Sequence, residues 1–279
     1  MQCAVYAFAD EASPLMAGQI AAMRRNGLQG LEIRGVDGVN VADISDAKAR
    51  EVRRALDDAG LVTWSIGSPI GKIDIETGDH RLHLEKMRRV LEIADILGCA
   101  RVRMFSYYIP AGRDPAEFRG AVLDRLGELL RAAEGTGIRL CHENEKGIYG
   151  DNAARCADLL QALPALGGVF DPANFIQCGQ ETWEAWELLR ERIDYLHIKD
   201  AVADGTVVPA GKGLGQVGRI VADYLSRGGA ACTVEPHLGG FVGLKGLERA
   251  GEKTKLGFAY PDSDAAFDAA CAALKTLLA

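Results

Sequence analysis

Apolar positions follow two rhythms that alternate along the chain. Short runs, apolar throughout or at every second position, are separated by longer Ala-, Leu- and Arg-rich stretches whose apolar residues recur every three to four positions. The short runs predict strands at Cys3 to Ala9, Gly30 to Ile33, Leu61 to Ile66, Arg101 to Phe105, Ile138 to Glu143, Gly168 to Asp171, Tyr195 to Lys199 and Ala231 to Glu235. The longer ones predict helices at Pro14 to Asn26, Ser45 to Ala59, His80 to Leu97, Pro115 to Glu134, Asp151 or Asn152 to Leu163, Thr182 to Leu189, Val217 to Arg227 and Ser263 to Leu278. Ser45 is a cap that can accept a backbone N–H, and Gly27 and Gly98 suit helix ends. Strand-helix alternation predicts a parallel sheet of βαβ units, and eight such units predict a closed (β/α)8 TIM barrel of class α/β.

A length of 279 residues is ordinary for one such barrel. No linker or low-complexity tract interrupts the alternation, so residues 1–279 are read as a single domain. Only Pro236 to Pro261 is too long for a simple connection, which makes it a candidate lid or subunit contact and leaves a homo-oligomer open. The net charge of -7 argues against nucleic acid as a partner, because affinity for a phosphate backbone usually needs a basic face. No apolar window is long enough for a membrane span. The start, MQCAVYAFADEASP, meets Asp10 and Glu11 at once, so no signal peptide is expected. Seven scattered cysteines without a CxxC pair suit a reducing, cytoplasmic setting.

The stretch Leu140 to Gly150, LCHENEKGIYG, packs a histidine, two glutamates and an asparagine onto the end of an apolar strand. Ionisable groups in such surroundings must be paired, protonated or bound to a metal. Three later strands repeat the pattern with Asp171, His197 and Glu235. In a barrel these strand ends share one mouth, and alternation then puts Cys141, Val169, Tyr195, Lys199 and Thr233 on the inner face. Three carboxylates and one imidazole without a thiolate suit one divalent ion, Mn²⁺, Mg²⁺ or Co²⁺, and tolerate Zn²⁺.

The motifs HENE (His142 to Glu145), FDPANF (Phe170 to Phe175), HIKD (His197 to Asp200) and VEPH (Val234 to His237) carry a family likeness. With SPIGK and FSYY after strands three and four, the chain resembles the xylose isomerase-like barrel superfamily, in particular its sugar phosphate isomerase/epimerase branch. The resemblance implies that Glu143, Asp171, His197 and Glu235 hold one divalent metal, Mn²⁺ first, and that Glu143 and Glu235 also act as acid and base. Moving a proton beside a carbonyl needs a base, stabilisation of the enediolate oxygen and an acid. A cation supplies the second, and two carboxylates on opposite sides of the substrate supply the others. The expected function is a metal-dependent sugar or sugar-acid isomerase or epimerase acting on a small molecule. The alternatives are a dehydratase of a keto-inositol or dehydroshikimate, a non-catalytic sugar-binding barrel, and an endonuclease IV-like repair enzyme. The resemblance counts against the last, because Asn174 stands where those relatives have a histidine and Ala201 to Gly215 contains none.

Lys199, Asn174, His237, Arg103, Lys72 and Glu32 are the candidate substrate-binding residues, each weighed against an ordinary ion pair or solvated position. Arg34 shares their neighbourhood, and Glu145 and His237 are candidates to orient metal ligands. The glycines of Gly211-Lys212-Gly213-Leu214-Gly215 precede a helix and are a weak phosphate candidate beside the simpler reading of a tight loop. Lys245, Arg249, Lys253 and Lys255 give the late segment a positive cast, and among the tryptophans only Trp64 is placed to reach the mouth.

Overall fold

A computed structural model describes residues 3–242, 244 and 255–279. Eight parallel strands close into one barrel in chain order: β1 (Ala4–Ala7), β2 (Gly30–Ile33), β3 (Val62–Gly67), β4 (Arg101–Met104), β5 (Arg139–Glu143), β6 (Gly167–Phe170), β7 (Ile193–Ile198) and β8 (Ala231–Val234). β8 pairs back to β1, with Ala4 opposite Ala231 and Ala7 opposite Val234. The helices outside are α1 (Met16–Arg25), α2 (Asp46–Ala59), α3 (His80–Ile96), α4 (Arg119–Ala133), α5 (Ala153–Ala162), α6 (Pro172–Gln177), α7 (Thr182–Leu189), α8 (Val217–Ser226) and α9 (Ser263–Leu278).

The local chemistry sets most boundaries. Ser45 Oγ accepts from Lys48 N at 3.2 Å and starts α2, whose Val52 and Leu56 are buried against the sheet layer. Burial of each such side chain contributes about 1.5–3 kcal/mol. Asn152, rather than Asp151, caps α5, its Oδ1 accepting from Arg155 N at 2.9 Å. Two boundaries differ from the expected ones where side chains intervene. β1 stops at Ala7, and the chain turns through a short 3-10 helix that buries Asp10 and Glu11. Asp171 leaves β6 to cap the unexpected helix α6, accepting from Asn174 N at 3.0 Å.

The barrel interior has its own apolar cluster, separate from the core between sheet and helices: Tyr6, Cys141, Val169, Tyr195 and Ala231, with Trp64 against them. Tyr6 stacks on Trp64 with ring centroids 4.4 Å apart, and Arg101 lies 4.0 Å above the indole. Trp64 is thus spent on filling the interior and is absent from the wall of the mouth, contrary to its expected reach. Among the described residues, no helix is long and apolar enough to cross a membrane.

Candidate active site

Glu143 ends β5, Asp171 follows β6, His197 lies in β7 and Glu235 follows β8. Consecutive parallel strands therefore deliver all four to the C-terminal mouth, where their donor atoms lie within 4.8 Å of one another and all four residues are buried. His197 is held at both nitrogens. Nε2 is 3.0 Å from Glu32 Oε2, while Nδ1 faces the cluster, 2.9 Å from Glu143 Oε1 and 3.6 Å from Glu235 Oε2. Glu32 is fixed in turn by the Tyr195 hydroxyl, which donates to Oε1 at 2.9 Å. Burial alone would lower the histidine pKa, but the Glu143 and Glu32 carboxylates outweigh it and hold the group well above the usual histidine range.

Three cations neutralise the cluster. Arg103 Nε is 3.0 Å from Glu143 Oε2, and Arg34 NH1 is 3.5 Å from Glu235 Oε1. Lys199 Nζ lies 2.8 Å from Asp171 Oδ2 and 2.9 Å from Glu235 Oε2. The lysine contact to Asp171 is an ion pair outside hydrogen-bonding geometry, so Asp171 Oδ2 is a buried oxygen with no donor. Burial, with Glu235 and Glu143 nearby, pushes the Asp171 carboxyl up to about 8 despite Lys199. Glu235 goes the other way: burial opposes it, yet Lys199 and His237 hold it well below the usual carboxylate range. An orphaned buried oxygen among three carboxylates and an imidazole whose far nitrogen is tied to Glu32 fits a hard or borderline divalent cation.

The family model described as xylose isomerase-like TIM barrel matches residues 20–226. The chain belongs to this family. Among solved structures, the barrel is similar to the probable 3-DHS dehydratase AsbF of Bacillus anthracis, with 15% identity, 99% of each chain covered and a TM-score of 0.74. It is similar to the 3-keto-D-glucoside 4-epimerase YcjR of E. coli, with 16% identity, 99% of this chain and 100% of that chain covered and a TM-score of 0.71. The IolI protein with a bound zinc atom shares 14% identity over 100% of this chain and 98% of that chain, with a TM-score of 0.75. These likenesses show the fold alone. No curated protein matches the sequence.

In this xylose isomerase-like barrel the mouth holds a cavity of about 340 Å³ whose wall includes Lys72, Arg103, Asn174, Lys199 and His237 beside Glu143 and Glu235. Asn174 Nδ2 donates to Asn144 O at 2.8 Å and lies 3.4 Å from Glu143 Oε1. Lys72 pairs with Glu145 at 2.9 Å, which settles Glu145 on the wall, and its ammonium sits 4.3 Å above the Phe105 ring. The turn that aims Lys72 requires glycine: φ is +89° at Gly71, and a Cβ there would lie 2.0 Å from Phe105 O. Glu32 is the expected substrate residue that does not reach the cavity. It is 1% exposed and absent from the wall, because His197 and Tyr195 use it as their shared anchor. His142 points away from the site, 2.9 Å from Ser106 Oγ, with burial pushing it down to about 3.

The glycine loop is not open to phosphate. Asp200 accepts the amides of Gly211, Gly213 and Gly215 at 2.9, 2.9 and 2.8 Å, so the protein's own carboxylate fills that nest. Lys245, Arg249 and Lys253 lie outside the described residues, as do residues 243 and 245–254 of the expected lid. Three contributors are missing from the sequence reading. Asp10 and Glu11 grip Arg34 at 2.9 and 3.0 Å, and Glu11 Oε2 accepts from His237 N at 2.6 Å. Asn144 exchanges two 2.9 Å bonds with the Asp171 backbone, locking the ends of β5 and β6 together. The acidic pair directly after the first strand was the available signal for Asp10 and Glu11; nothing distinguished Asn144 from a solvated amide.

Proposed function

We propose that this chain is a divalent-metal-dependent isomerase or epimerase of a small polyhydroxylated carbonyl compound, a sugar or sugar acid. Glu143, Asp171, His197 and Glu235 would hold the ion, Mn²⁺ in preference to Mg²⁺, Co²⁺ or Zn²⁺. The ion supplies positive charge to an oxygen on which negative charge develops when the neighbouring carbon loses its proton. The observation that carries the reading is the placement of two glutamates on the wall of one cavity, each with its own arginine, Arg103 on Glu143 and Arg34 on Glu235. One glutamate removes the proton and the other returns one from the opposite side. Lys72, Lys199, Asn174 and His237, which line the cavity, would hold the substrate's remaining oxygens.

A second reading is a dehydratase, favoured by the likeness to AsbF over 99% of both chains and by the cations on the wall, which would suit a carboxylate-bearing substrate. It shares the proton abstraction and differs in expelling a hydroxyl from the next carbon. The decisive experiment incubates the Mn²⁺-loaded protein in D₂O with ketoses, keto-inositols and dehydroshikimate, followed by NMR and mass spectrometry. The proposal expects deuterium at the carbon beside the carbonyl in a product that has lost no water. A product lighter by one water selects the dehydratase, and metal-dependent binding without any exchange would leave a sugar-binding barrel instead.

A further inference from the structure

Lys199 occupies an unusual position for a group expected to hold substrate. Its Nζ bridges Asp171 Oδ2 at 2.8 Å and Glu235 Oε2 at 2.9 Å, two members of the donor set on strands either side of its own. The side chain is 4% exposed, and both carboxylates are buried. Buried carboxylates of like charge need a nearby cation, and here a single ammonium serves two of them. A dication bound to the same oxygens would stand against that ammonium, so the two compete for one place.

The two arginines are not in that position. Arg34 is gripped by Asp10 at 2.9 Å and Glu11 at 3.0 Å, and Arg103 NH1 donates to Ser68 O at 2.8 Å, so each keeps anchors if its glutamate turns to a metal. The ion pairs of Lys199 among the described residues are to Asp171 and Glu235 alone. Its stem is flexible, its ammonium is a compact charge, and it borders the cavity.

We propose that Lys199 is an exchangeable internal counter-ion: it neutralises Asp171 and Glu235 while the site lacks metal, yields those oxygens to the divalent ion, and then presents its ammonium to the cavity. The lysine is thus a positioning and selectivity residue that sets how tightly the ion is held. This rests on the metal site proposed above. No covalent step is involved.

The test titrates Mn²⁺ alone into wild type, Lys199→Met and Lys72→Met by calorimetry, with melting of each protein metal-free and Mn²⁺-saturated. Lys72 borders the same cavity but pairs with Glu145, outside the donor set, so its variant measures the general effect of losing one positive charge. Exchange predicts that Lys199→Met binds Mn²⁺ more tightly than wild type by roughly 5- to 150-fold, the usual range of coupling between two sites. Lys72→Met should change affinity far less. Lys199→Met should also melt below wild type only in the metal-free state. Equal affinities for the two variants, or a melting deficit that persists with Mn²⁺, overturns the proposal while leaving the metal site standing. Absence of Mn²⁺ binding by all three proteins overturns the metal site and the exchange with it. Should Lys199→Met fail to fold, wild type labelled with ¹⁵N-lysine gives the same answer. The buried ammonium signal, assigned with Lys199→Arg, should move on saturation with Mg²⁺, and an unmoved signal in Mg²⁺-bound protein refutes the exchange.

Discussion

Glu235 is the residue on which most of the site converges: Lys199, Arg34, His197 and His237 all lie within ion-pairing distance of its carboxylate. If it moves a proton as well as helping to hold an ion, Glu235→Gln should retain Mn²⁺ binding within about ten-fold, because three other donors remain. Deuterium exchange at the substrate carbon should fall by roughly 100-fold or more, the usual worth of a positioned acid or base. Unchanged exchange in the loaded variant removes Glu235 from the chemistry. Glu32 makes the complementary case. Its charge at a strand end marked it as part of the mouth, but its partners, His197 and Tyr195, are 165 and 163 residues away in sequence. Glu32→Gln should weaken Mn²⁺ binding by about 10- to 100-fold without touching substrate, since it leaves the His197 ring without its carboxylate. Calorimetry checks it, and a change confined to the apparent substrate affinity would restore Glu32 to the wall.

Among the elements, the loop from Gly211 to Gly215 shows how a motif can be complete within the protein. Glycine-rich amides before a helix resemble an anion site in the sequence, and the anion turns out to be Asp200, two residues after Ile198, the end of β7. Close packing enforces it, because a Cβ at Gly213 would stand 2.3 Å from Asp200 Oδ1. Asp200→Ala strands the three glycine amides and that of Ala201 at once, and unfolding in urea should show a loss of about 3 kcal/mol or more. Retained stability together with phosphate binding would instead reopen the loop as a ligand site. Asn144 lies at the other extreme, since its bonds to Asp171 join two strands whose register no local pattern encodes.

At the scale of the whole molecule, two buried histidines outside the donor set stay neutral. His83, whose Nε2 accepts from Gly71 N at 2.6 Å, is pushed down to about 4 by burial and by neighbouring cationic groups, and His142 to about 3 by burial. Above about pH 6.5 histidine is neutral in folded and unfolded chains alike, so their contribution is fully present. As pH falls from there towards 4, these two positions take up protons in the unfolded chain that the folded one excludes, and their contribution declines. By pH 5 the loss is roughly 2 kcal/mol for each histidine. The urea midpoint of His83→Gln relative to wild type should therefore rise as pH falls from 7 to 5, because only wild type loses this contribution, and a pH-independent difference would refute the assignment.

Eight strand-helix units, the closed barrel and the four strand-end residues Glu143, Asp171, His197 and Glu235 were legible in the sequence. Strand alternation and the common direction of parallel strands are local rules, and they decide which side chains reach one mouth. Which charge faces which was not legible. The role of Glu32 behind His197, the clasp of Asp10 and Glu11 on Arg34, the filling of the glycine loop by Asp200 and the bridge of Lys199 between Asp171 and Glu235 all join side chains from different loops or strands. Such pairings are settled by distances of a few ångströms in a desolvated space, where an unpaired charge is costly. Only barrel closure fixes those distances.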